Sequence, residues 1–194
     1  MKKIICTALV VLTGLMLSSC GLTSGTVFIS QEVSGEIESN SASSSTLDET
    51  FGHVIVNFTD NSDWQDYEIE GIEDGCIVMD VWNQLDATVS GEVWITMDTL
   101  QTGYTSIAQI EAAGGFRIFS GIALPAGSPS LNPNVDPPTK HFTCAETFAL
   151  LENVDQLVSA MQQGYFVAWG LANEDTFHFT WSGIVFGAHV TGSL

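Results

Sequence analysis

Positive charge is what this sequence lacks most. Its 194 residues hold four Lys and Arg against 23 Asp and Glu. Lys2 and Lys3 stand at the start, so Arg117 and Lys140 are the only cations beyond position 3. Such a chain cannot neutralise a phosphate backbone, which excludes nucleic acid as a partner. Anionic lipid headgroups would repel it too. Catalytic signatures are also missing: there is no Gly-x-Ser-x-Gly, no His-Glu-x-x-His and no phosphate-binding glycine loop. The chain therefore reads as a non-enzyme. Hydrolysis by two carboxylates stays as a third reading, because the required separation of ~5 to 9.5 Å is invisible in sequence. No Cys-x-x-Cys supports redox catalysis or structural zinc, and His53, His141, His178 and His189 stand far apart.

What is present begins with the first twenty residues. Lys2 and Lys3 precede an apolar run from Ile4 to Leu17, and Leu17-Ser18-Ser19-Cys20 closes it. This is a secretory leader. Fourteen residues would span only ~21 Å as a helix, short of the ~30 Å hydrocarbon core. The ending resembles the lipobox of bacterial lipoproteins, over residues 1 to 20 only. The resemblance implies a signal peptide at 1–19, a diacylglyceryl group on Cys20 and an acylated new amino terminus. It implies a membrane partner through the lipid and a place in the bacterial cell envelope. Gly21, rather than aspartate, follows the cysteine, which implies the outer membrane in a host that has one. Three acyl chains pass the threshold for stable anchoring. Cleavage leaves 23 carboxylates against Arg117 and Lys140, a net charge of −21. Such acidity suits divalent-cation binding, life in high salt or, as the favoured reading, plain solubility.

Cys76 and Cys144 are left once Cys6 is discarded and Cys20 is lipidated. In an oxidising compartment they are expected to form a disulfide, the alternative being two buried thiols.

Beyond position 20 the pattern is mostly of period two. We expect a lipidated N-terminus, a first strand over Thr26 to Ile37 and a Ser-rich linker within 20–50, then a domain over 51–194. Val54, Val56 and Phe58 share a face, as do Ile77, Met79 and Val81, and Val93, Ile95 and Met97. Phe142, Cys144 and Phe148 continue the alternation, and Ser128 to Pro138 must be a surface loop. In the strand from Phe177 the parity slips at Gly183, the sequence mark of a β-bulge. Phe119-Ser120-Gly121-Ile122 repeats the tetrad Trp181-Ser182-Gly183-Ile184, which reads as a second bulge of the same kind. Ser106 and Asn153 can each cap a short helix ended by glycine. The expected fold is all-β, an antiparallel β-sandwich of jelly-roll or immunoglobulin-like kind with two short helices. Closed barrels stay open as an alternative.

Two constellations could bind something. Asp60, Asp63 and Asp66 lie in an acidic stretch able to offer oxygens to calcium, although it lacks the spacing and glycine of an EF-hand. Otherwise no cofactor is expected. The second is geometric. A hairpin of Ile77 to Leu85 with Gly91 to Asp98 would set Trp82 opposite Trp94, on a face shared with Asp80, Gln84 and Thr96. Two rings among polar groups suit a glycan. The competing reading buries both rings under the helix that carries Ile107 and Ile110, or makes them a stabilising pair. The functional expectation is thus a membrane-anchored binding or adhesion module for glycans. The alternative is an assembly subunit of the cell envelope that binds other proteins.

Overall fold

The computed structural model describes residues 24–41, 51–59, 61, 68–100, 103–173 and 176–193. The strands are β1 (Ser24–Val33), β2 (Ile37–Asn40), β3 (Gly52–Asn57), β4 (Glu68–Asn83), β5 (Val89–Thr96), β6 (Phe116–Leu124), β7 (Lys140–Phe142), β8 (Tyr165–Ala172) and β9 (His178–Ser193). The helices are α1 (Ile107–Ala112), α2 (Cys144–Thr147) and α3 (Val154–Gln162), and a 3-10 turn covers Phe148–Leu150. Sheet A runs β1-β9-β4-β7, with β2 also paired to β9, and sheet B runs β3-β8-β5-β6.

The pairings nest. β1 pairs β9, β3 pairs β8, β4 pairs β7 and β5 pairs β6, all antiparallel. A long hairpin that wraps into two four-stranded layers in this way is a jelly roll, which decides between the two expected sandwiches. β2 is an added strand that continues the β1 side. The expected domain start at 51 therefore falls inside the sandwich. Ser39, Asn40 and Ser41 are buried rather than linker, and Ser39 Oγ joins the layers, donating to Gly170 O at 2.6 Å and accepting from Gly52 N at 2.8 Å.

Between the sheets lie the inward sets predicted by period two: Ile77, Met79 and Val81 from β4, Val93 and Ile95 from β5, and Ile184, Phe186, Ala188 and Val190 from β9. Trp181 is buried between the sheets, and Trp169 is buried on the outer face of sheet B. A Cβ on Gly170 would lie 2.3 Å from the Trp181 ring, so this glycine lets the sheets approach. Both predicted bulges form. Opposite Val78 and Asp80, β9 advances three residues, from Val185 to Ser182, with Gly183 at φ +59. Opposite Gly91 and Val93, β6 advances from Ile122 to Phe119, with Gly121 at φ +71.

Three expectations need correction. The hairpin of β4 with β5 does not form, because β4 belongs to sheet A and β5 to sheet B. The turn between them arches across the core. Alternation sets which face a residue takes, not which strand lies beside it. Cys144 opens α2 rather than continuing a strand. Thr143 there forms a capping box with Glu146, which ends the strand pattern. Asn153 precedes α3 but adopts φ +52, and its amide donates to Arg117 O at 2.7 Å instead of capping. Ser106 does cap α1, accepting from Gln109 N.

Cys76 and Cys144 are joined in a disulfide, with Cα atoms 4.9 Å apart across 68 residues of sequence. It ties α2 to β4. Thr147 Oγ1 reinforces the tie, donating to Ile77 O and accepting from Ile77 N, as a neighbouring strand's backbone would.

Candidate functional site

The expected tryptophan platform is not assembled. Trp82 and Trp94 lie in different sheets and are only 6% and 8% exposed. Trp82 is covered by the Pro-containing loop and donates to Asp136 O at 2.9 Å. Of its expected companions, Asp80 pairs with His141 at 2.8 Å and Gln84 donates to Leu131 O. Trp94 does share the outer face of sheet B with Glu92 and Thr96. Thr96 is buried there, accepting from Trp169 Nε1 at 3.0 Å. Tyr104 and His53 pack on Trp169, each with ring centroids 4.7 Å away, and Ile110 is fully buried. Trp94 is thus buried, with Ile107 of α1 lining the same cleft.

Asp60, Asp63 and Asp66 lie outside the described residues. Among the described residues, no group of three or more His, Cys, Asp or Glu is placed to hold a metal ion.

One arrangement of polar side chains does converge. Glu92 projects from β5 and is 4% exposed. Its Oε2 accepts from Trp94 Nε1 at 2.8 Å, and its Oε1 from Arg117 Nη1 at 2.8 Å. Arg117 projects from β6 beside Trp94, its Cα partner across the strands. Its Nε donates to Glu152 Oε2 at 2.9 Å, and Ser120 Oγ donates to the other Glu152 oxygen. Glu152 N bonds to Ile118 O, which fixes the segment before α3 against β6. One guanidinium is thus shared by two carboxylates from distant parts of the chain.

The environment tunes both ends of this triad. Burial alone would lower the Arg117 pKa, but Glu152 and Glu92 together raise it above its ordinary value. The Ser120 hydroxyl, opposed by burial and helped by Arg117, lowers the Glu152 pKa. Glu152 is therefore held as an acceptor and not as a proton donor, the opposite of what a general acid needs.

Beside the triad an open cleft of about 440 Å³ is lined by Trp94, Ile107, Glu111, Phe116, Asn153 and Asn173. That volume falls in the ordinary range for small-ligand sites. The void between the sheets, near Phe58, Phe166 and Met161, holds only about 20 Å³. Any small-molecule site among these two is the outer cleft. Arg117 and Glu152 were missed in sequence, although one signal pointed at them. Arg117 is one of two Lys and Arg residues beyond position 3, set in the apolar run Phe116–Leu124, and so lone a cation must draw carboxylates around it.

No family model matches this chain, and no curated protein matches it. The solved structure of turnip yellow mosaic virus at 100 K is similar at 13% identity, over 88% of this chain and 96% of that chain. Its TM-score is 0.19, so the likeness carries no argument.

Proposed function

We propose that this chain is a lipid-anchored, extracytoplasmic binding module of the bacterial envelope that takes a glycan in the cleft beside Arg117. The observation that carries the reading is the cleft's mixed chemistry. Asn153 and Asn173 can both give and accept hydrogen bonds, Glu152 accepts, and Arg117 has N–H groups beyond those spent on Glu92 and Glu152. Phe116 and the edge of Trp94 supply an apolar wall. Polyhydroxylated ligands need this combination of apolar contact and paired donors and acceptors.

The address rests on the leader. The Cys76–Cys144 bond supports it, since disulfides persist in oxidising compartments. If Cys20 carries the lipid, four peptide links reach Ser24, at most about 14 Å. The end of sheet A where Ser24 pairs Ser193 and Ser193 pairs Glu68 would then face the bilayer. The cleft, on the outer face of sheet B, would open on the flank.

The test is the lipidated protein in detergent on a glycan array, beside an Asn173→Ala variant and a Cys20→Ala form assayed for membrane partition. Sugar binding weakened in Asn173→Ala supports the site. A folded protein that binds no displayed sugar sinks the glycan reading. Cys20→Ala chains that stay with membranes would sink the anchor.

One observation favours the second reading, assembly with envelope proteins. Ile55 on β3 is 50% exposed and Tyr165 on β8 39% exposed, in adjacent rows on one face of sheet B. Ile55→Asp should then abolish co-purification of a dominant partner, and unchanged co-purification would exclude this face.

A further inference from the structure

The cleft's charges discriminate among sugars. Three carboxylates line it, Glu92, Glu111 and Glu152, against the one guanidinium of Arg117. Both side-chain bonds of Arg117 go to two of those carboxylates. The triad by itself is therefore net negative, and Glu111, exposed on α1, adds an uncompensated charge at the rim. Nothing else cationic lines the cleft. A ligand carboxylate approaching Arg117 would meet Glu152 beside it, already ionised and already taking the guanidinium's Nε–H. A neutral hydroxyl meets no such penalty, because it can donate to Glu152 and accept from Arg117 together. A protonated amine gains from the same field.

Resting on the glycan reading above, we propose that this cleft is a charge sieve that admits neutral and amine-bearing sugars and rejects carboxylated ones. Specificity of this kind comes from a repulsive element built against the wrong ligand, as much as from contacts to the right one. The field acts over a short range and is weakened by salt.

The experiment uses the lipidated protein in detergent with three probes on one spacer, ending in glucose, glucosamine and glucuronate. At ~50 mM salt the glucuronate probe should bind at least about tenfold more weakly than the glucose probe. The gap should narrow by ~500 mM salt, where charges are screened within about 4 Å. Glu111→Gln should shrink the glucose-to-glucuronate ratio about threefold, since it removes one carboxylate without touching the ion pairs. Equal or tighter binding of glucuronate overturns the sieve and leaves the glycan reading standing. A ratio that ignores both salt and Glu111→Gln overturns it as well. Failure of all three probes to bind a folded protein overturns the sieve together with the glycan reading.

Discussion

Glu92 is the residue on which the outer face of sheet B depends. It is 4% exposed and paired with Arg117, and a buried carboxylate needs its partners. Arg117→Met removes the cation and leaves the carboxylate facing Trp94 alone. We expect a loss of about 2 kcal/mol, the range for one orphaned buried charge beside a partly exposed partner. The double variant Glu92→Gln/Arg117→Met should recover about 1 kcal/mol of it, read from urea midpoints. Single and double variants with the same midpoint would show that the two side chains are not coupled. Glu146 makes a pH prediction. Lys140, then the backbone and hydroxyl of Thr143, lower its pKa from 4.5 to about 2. A depressed carboxylate stabilises the fold above its unfolded pKa and loses that effect as pH falls through the folded value. The window is thus 4.5 down to about 2. Glu146→Gln should flatten the fall of Tm across that window, and parallel curves for both proteins would refute the assignment.

At the scale of elements, the two bulges show how one glycine re-aims a strand. Before Gly183 the buried residues of β9 include Phe179 and Trp181, and after it they include Ile184, Phe186, Ala188 and Val190. The parity shift keeps one long strand facing the core on both sides of the bulge. A Cβ on Gly121 would meet nothing within 4 Å, and on Gly183 only Asp80 Oδ2 at 3.8 Å. Gly121→Ala and Gly183→Ala should therefore cost only the left-handed backbone, about 1–2 kcal/mol each, with Asn in place of Ala costing less. Calorimetry on the four variants checks this. Equal losses for Ala and Asn would mean that packing, not backbone geometry, is responsible. Gly170 differs, because its Cβ would strike the Trp181 ring.

For the whole molecule, the nested pairing joins the first described strand to the last, so nearly every sheet contact is long-range. Chains of this kind close large loops before contacts reward them and fold slowly. The Cys76–Cys144 bond closes one such loop within β4 to α2. A crosslink over 68 residues contributes about 4 kcal/mol in the chain-entropy model. Cys76→Ser/Cys144→Ser should lower the urea midpoint accordingly, whereas a midpoint equal to wild type would mean that the bond constrains nothing. The proposed tether to a membrane belongs to this scale too. Labels at Ser193 and Asn173 should report bilayer proximity for the first and not the second. The reverse would invert the proposed orientation.

Residue order alone determined most of the strands, the layers' inward faces, both bulges, the Ser106 cap and the cysteine pair. Each follows from local rules: period-two burial, glycine at a parity slip, a hydroxyl before a helix, two thiols left to pair. It also carries the charge, which depends on composition rather than on folding. Strand partners were not legible, because alternation is identical for a hairpin and for an arch between layers. That ambiguity produced the Trp82 and Trp94 pair, which the tertiary structure separates into two sheets. The cleft was illegible for the same reason. Glu92, Arg117 and Glu152 are each ordinary in sequence, and only the pairing of β5 with β6 and the fold-back of the segment before α3 bring their charges together.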